Sequence, residues 1–152
     1  MTRALGVDLG SKRIGVALSA STIATPYEVV QRSGDKVRDH RRIADLVDEA
    51  GAEVVVVGLP LSLDGTVGPA AQRVLDEIDV METTLTVPIE TWDERLSTVT
   101  AEQSLRAQDL KGPARRRVVD MVAAAVILQS WMDARQGASG ELRATPPDME
   151  NS

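Results

Sequence analysis

The chain reads as a single α/β domain on a mixed five-stranded sheet, its first three strands antiparallel, with helices on both faces. Three features lead there. Three apolar runs separated by short turns open the chain, the pattern of an antiparallel meander. Val54-Val-Val-Val57 is apolar at every position, the mark of a strand buried on both faces beside a parallel neighbour. From there on, segments of helical period alternate with strands.

Ala4 to Leu9 and Ile14 to Ser19 are the first two strands, joined by a turn of small and basic residues. Asp8 stands at the end of the first. Aspartate is a poor strand former, so it has a task. Either it starts the turn by accepting backbone N–H groups, or it presents a carboxylate where Gly10 lets a phosphate or metal approach the backbone. Ile23 to Arg32 is the third strand, with Pro26 near its start, where the missing N–H is tolerable. Asp39 to Ala50 carries Ile43, Leu46 and Val47 on one helical face, and Gly51 is its stop. The run Arg38, His40, Arg41, Arg42 lies at the helix start, the wrong end for the macrodipole, and reads as a solvated face. Glu53 to Leu61 is the buried fourth strand. It ends in Gly58-Leu-Pro60, and ligands of open α/β sheets gather outside such carboxyl ends. After an Asp64-Gly65 turn, Gly68 to Met81 is a second helix, and Leu85 to Trp92 the fifth strand, placed near an edge by Pro88.

Asp93 and Glu94 follow directly. Adjacent strand residues point to opposite faces, so only one of them easily shares a centre with Asp8; both could instead form a surface turn with Arg95. Ser97, Thr98 or Thr100 caps a helix at Ala101 to Gln108. Pro113 opens the last helix, apolar nearly all round from Val118 and therefore buried. Asp120 is its exception, sharing a face with Ala124, Ile127 and Trp131. A buried acid costs several kcal/mol unless paired or metal-bound, so Asp120 either joins a site or bonds an arginine of the 115–117 run. The domain spans 1–136; residues 137–152 turn to Gly, Ser, Pro and charge, the composition of a disordered tail.

Composition narrows the chemistry. There are no cysteines and one histidine, so acid–base or metal work falls to Asp and Glu. Aromatics are 2% and Phe is absent, which leaves no stacking platform for single strands. A net charge of −6 argues against non-specific coating of nucleic acid, though not against a local basic rim around an acidic centre. No signal pattern and no bilayer-length apolar run is present, so a soluble cytoplasmic protein is the expectation. Three carboxylates stand out, Asp8, Asp93 or Glu94, and Asp120. Hard oxygen donors without His or Cys suit Mg2+ or Mn2+, as in two-ion phosphodiester hydrolysis.

The element order matches the ribonuclease H-like fold, and the motifs make the resemblance specific. Gly6-Val-Asp-Leu-Gly-Ser-Lys-Arg-Ile-Gly-Val-Ala17, Val57-Gly-Leu-Pro-Leu-Ser-Leu-Asp-Gly65, Asp93-Glu-Arg-Leu-Ser-Thr98 and Val119-Asp-Met-Val-Ala-Ala-Ala-Val-Ile-Leu128 recur in the order of the YqgF family, also called RuvX. Its members are described as pre-16S rRNA nucleases and as Holliday junction resolvases. The resemblance implies that Asp8, Glu94 and Asp120 are the metal-holding acidic centre, with Asp93 a further candidate. Cations cluster in sequence around these acids although the whole chain is acidic, so Lys12, Arg13, Arg95, Ser97, Thr98, Arg116 and Arg117, extended by Lys111 and Arg115, are the expected substrate-binding rim. The implied partner is nucleic acid, pre-rRNA or branched DNA, met by a monomer or a homodimer. A non-catalytic rRNA-binding assembly factor is the other class of reading. It draws on one departure: related resolvases carry an acid on the central strand, and this central strand has none. The first turn also resembles the phosphate loop of actin-, sugar-kinase- and Hsp70-like ATPases, which need two such domains, far more than 152 residues.

Overall fold

A computed structural model of the chain describes residues 2–97 and 112–144. Its elements are β1 (Ala4–Leu9), β2 (Arg13–Ala20), β3 (Ile23–Gln31), α1 (Lys36–Ala50), β4 (Val54–Leu59), α2 (Pro69–Met81), β5 (Ile89–Asp93), a short 3-10 turn (Glu94–Leu96) and α3 (Gly112–Ala144). The sheet order is β3-β2-β1-β4-β5. The first three strands pair antiparallel, while β4 runs parallel to both β1 and β5. This is the mixed five-stranded sheet expected, with β4 apolar throughout because both of its faces are covered.

The period of two divides β1 between the layers. Leu5 and Val7 join Ile14, Val16, Val55 and Val57 under α1 and α2. Ala4 joins Ala17, Val54 and Val56 under α3, where Ala124, Ile127, Leu128 and Trp131 are buried. Asp8, in phase with Ala4 and Gly6, stands on the α3 side. Side chains on this face are small, so α3 lies close to the sheet: a Cβ on Gly6 would sit 2.6 Å from the Leu128 Cβ. Gln129 ties the helix to the β2–β3 turn, accepting from the Ala24 N–H at 2.7 Å and donating to the Thr22 carbonyl at 3.0 Å. No helix of the described residues is long and apolar enough to cross a membrane.

Several boundaries differ from the sequence reading for local reasons. Helix α1 starts at Lys36 rather than Asp39, because the Asp35 carboxylate accepts the Val37 and Arg38 N–H groups as its cap. Gly51, at φ 64°, ends it as expected. Strand β5 starts at Ile89 rather than Leu85, because the Thr84 and Leu85 N–H groups turn back to the Met81 carbonyl. His40 is fully buried, not solvated: its Nε2 lies 2.8 Å from Glu77 of α2. The helix expected at 101–108 lies outside the described residues. Helical backbone continues to Ala144, into the stretch whose composition reads as a tail; 145–152 lie outside the described residues.

Candidate active site

Two strand glycines lie beneath Asp120 and Glu94. Asp8 pairs with Gly15 on β2. The backbone of Asp120 packs directly on Gly15, in the space a Cβ there would fill. On the other side of β1, Gly58 follows Val57, the partner of Val7. A Cβ at Gly58 would meet the Glu94 Cγ at 3.1 Å. Thus α3 brings Asp120 over one flanking strand, and the 3-10 turn brings Glu94 over the other. That turn is fastened to α3: the Trp92 Nε1–H donates to the Ser130 hydroxyl at 3.0 Å, which donates to the Leu96 carbonyl at 3.1 Å.

The acids feel one another. Burial, and then the charge of Asp120, push the Asp8 carboxyl up to about 6. Burial raises Glu94 as well, followed by the charges of Asp8 and Asp93. The three acids come from three separate elements, and the charge of one contributes to the shift of another. Among the described residues, no three acidic or histidine side chains stand ready to hold one ion. The Asp120 Oδ2 accepts from Arg13 Nε at 2.6 Å, with both side chains about one-fifth exposed.

Arg13, expected on the substrate rim, is therefore a partner of Asp120. Asp93 is taken up by Arg95. It accepts the Arg95 N–H at 2.9 Å and Nη2–H at 2.7 Å, and these side-chain bonds hold it below the usual carboxylate range. Arg95 in turn donates to the Leu63 carbonyl at 3.2 Å, bracing the loop after β4 rather than standing free on the rim. Lys12 and Arg116 are exposed. Arg117 is exposed within 3.9 Å of Glu28. The Ser97 N–H bonds the Glu94 carbonyl at 3.1 Å, closing the turn. Thr98 and Lys111 lie outside the described residues, as does the Arg115 side chain.

Sequence reading gives Gly15 no role of its own and takes Gly58 only as part of a strand end. The available signal is a glycine inside an otherwise apolar strand, which marks close approach of another backbone. It passes over Arg32, whose Nε donates to the Gly10 carbonyl at 2.7 Å while its two terminal nitrogens grip Glu77 at 2.8 Å each. The turn after Asp8 is anchored through this arginine to the α1–α2 layer.

The donor set suits a hard divalent cation, because carboxylates that raise one another's pKa are relieved by positive charge between them. A family profile described as "RuvX: Holliday junction resolvase" matches residues 2–134. The chain belongs to the RuvX family. Among its relatives, a "Putative pre-16S rRNA nuclease" of Desulforudis audaxviator is 43% identical over 136 residues, 88% of this chain and 96% of that one. A protein of the same description from Mycolicibacterium paratuberculosis is 46% identical over 143 residues, 91% of this chain and 84% of that one. The fold of this RuvX chain is similar to T. thermophilus RuvC in complex with Holliday junction substrate. The TM-score is 0.54 at 18% identity, covering 90% of this chain and 97% of that one. That likeness establishes the ribonuclease H-like fold.

Proposed function

We propose that this RuvX protein is a divalent-metal-dependent endonuclease that hydrolyses phosphodiester bonds at the 5′ end of pre-16S rRNA, in the cytoplasm. The observation that carries the reading is geometric: the Asp120 backbone packs on Gly15, the strand partner of Asp8, and Glu94 lies over Gly58 of β4, an arrangement in keeping with the raised carboxyls of Asp8 and Glu94. A carboxyl raised by burial and by a neighbouring acid is a functional-site candidate. The names of the relatives supply the substrate.

Asp8, Glu94 and Asp120 would hold Mg2+ or Mn2+. Bound there, the ion supplies Lewis-acid polarisation of the phosphoryl group and an activated water. The chain's own part is to give up protons and to hold the strand. Asp8, pushed up to about 6, ionises just below neutral pH and is then available as a donor. The Glu94 side chain lies over Gly58 of β4, a strand that carries no acid of its own. Arg13 holds Asp120 in position and can pass to a substrate phosphate when that carboxylate turns to the ion. Lys12 and Arg116, exposed cations beside the centre, meet the backbone of the strand. Asp93 does not join the ligand set; it orients the turn through Arg95.

Cleavage of a pre-16S rRNA 5′ leader with Mn2+, by wild type and Asp8→Asn, tests this reading. The variant should bind the RNA and fail to cut it; full activity would end the proposal. The family's own description favours a second reading, resolution of four-way DNA junctions. Two symmetric cuts would require a dimer, so junction cleavage by a dimeric form, with the rRNA leader left intact, would select it.

A further inference from the structure

Resting on the nuclease reading, we propose that the cleft between the β1–β2 turn and the first turns of α1 and α2 is a second phosphate site, which takes a backbone phosphate of the strand that reaches Asp8. The cleft has a volume of about 440 Å3. It opens at the carboxyl ends of β1 and β4, neighbouring parallel strands whose connections leave to opposite sides, β1 toward β2 and β4 toward β5. That is the crevice where open sheets bind ligands.

Its walls suit an anion. Lys36 from α1 and Arg73 from α2 both line it and are exposed, and neither forms an ion pair among the described residues. Gly10 and Ser11, which follow Asp8 in the chain, form one side of the cleft, and Ser11 offers a hydroxyl. Arg32 makes the floor rigid without being free to bind, since Glu77 and the Gly10 carbonyl occupy its guanidinium. Asp39, the one acid on the lining among the described residues, is spent on the Ser33 N–H and hydroxyl, the latter at 2.8 Å. In a chain of net charge −6, two exposed cations facing one cleft are a local excess that a phosphate would answer.

The placement fits one continuous strand. Asp8 and Ser11 are three residues apart, at most about 10 Å of chain. A strand with its scissile phosphate at Asp8 therefore runs close enough to Ser11 for a neighbouring phosphate to enter the cleft.

The test is equilibrium binding of single-stranded pre-16S leader RNA to the full chain across a salt series, for wild type and for Lys36→Glu/Arg73→Glu. The neutral pair Lys36→Gln/Arg73→Gln is the milder form, and circular dichroism reports folding. The reversed protein should bind at least tenfold more weakly at low salt, the neutral pair less so. The slope of log K against log salt should flatten by about 0.7 for each phosphate that the protein no longer neutralises. Mn2+ binding at the acidic centre should be unchanged. Affinity and slope equal to wild type in both variants would overturn the proposal. Inorganic phosphate is the second probe. If it binds the cleft and displaces RNA, the site serves the strand; if it binds without competing, the site serves a free phosphate compound and the strand proposal fails. Failure of the nuclease reading looks different: wild-type protein binds the RNA with the same salt slope and does not cut it.

Discussion

The backbone of Asp120 rests on Gly15, and Gly15 is the strand partner of Asp8. One absent side chain thereby sets the spacing between two acids that lie far apart in the chain. Gly15→Ala pushes a methyl group into the α3 backbone, and such overpacking costs about 1–3 kcal/mol. The expected result is a folded protein that is less stable in urea by that amount. Its loss of metal-dependent cleavage should be larger than the stability change explains, since α3 can only answer by moving Asp120 away.

The Asp8 carboxyl, raised from 3.8 to about 6, makes the metal-free protein pH-sensitive. The folded state holds this proton more tightly than the unfolded state. The contribution of this group is therefore fully present below about pH 4 and is lost as pH rises through about 6. The loss at pH 7 is about 3 kcal/mol at most. Asp8→Asn should gain up to that much at pH 7 in EDTA and nothing at pH 4, read from urea unfolding at both values. Mg2+ binding to wild type should weaken as pH falls below about 6 and should release protons on binding.

Asp93 and Glu94 separate by role. Glu94→Gln should lose metal-dependent cleavage nearly completely. Asp93→Asn loosens the hold on Arg95 and should cost about 1 kcal/mol of stability while leaving most of the turnover. Equal losses in the two variants, measured as kcat at saturating Mn2+, would contradict this division.

Glu77 anchors the buried Arg32–Glu77–His40 group. Burial pushes its carboxyl up, but hydrogen bonds from Arg32 and His40 outweigh that and leave it below the usual range. Its contribution is present above the ordinary glutamate value of 4.5 and is lost as pH falls through the lowered one. Removing one member of such a group leaves buried charge uncompensated, so Glu77→Ala should destabilise by about 3–5 kcal/mol. Thermal or urea unfolding at neutral pH measures it.

Asp8 at a strand end and Asp120 on a buried helix stand out in the sequence as charges in an apolar setting, whereas Glu94 is preferred to Asp93 there only through the family resemblance. The meander, the buried β4 and most of the helices were legible from period alone. What sequence hides is pairing. Arg13 and Lys12 look alike on the page, yet the first is bonded to Asp120 and the second is exposed. His40 sits among arginines and reads as surface, because the glutamate that buries it lies on another helix. Leu85 to Val87 have the composition of a strand, but the Met81 carbonyl takes the Leu85 N–H first. Side-chain parity could separate Asp93 from Glu94 without saying which one faces inward. Gly58 decides that, by leaving room for the Glu94 methylene.

The most direct trial is Mn2+-dependent cleavage of a pre-16S rRNA 5′ leader, with a four-way DNA junction alongside, by wild type, Asp8→Asn, Glu94→Gln and Asp120→Asn. Cutting by wild type alone, with all three variants folded and silent, is the expected result. Cutting that survives loss of any one of these carboxylates, or that proceeds undiminished in EDTA, would contradict an acidic centre built from β1, α3 and the turn after β5.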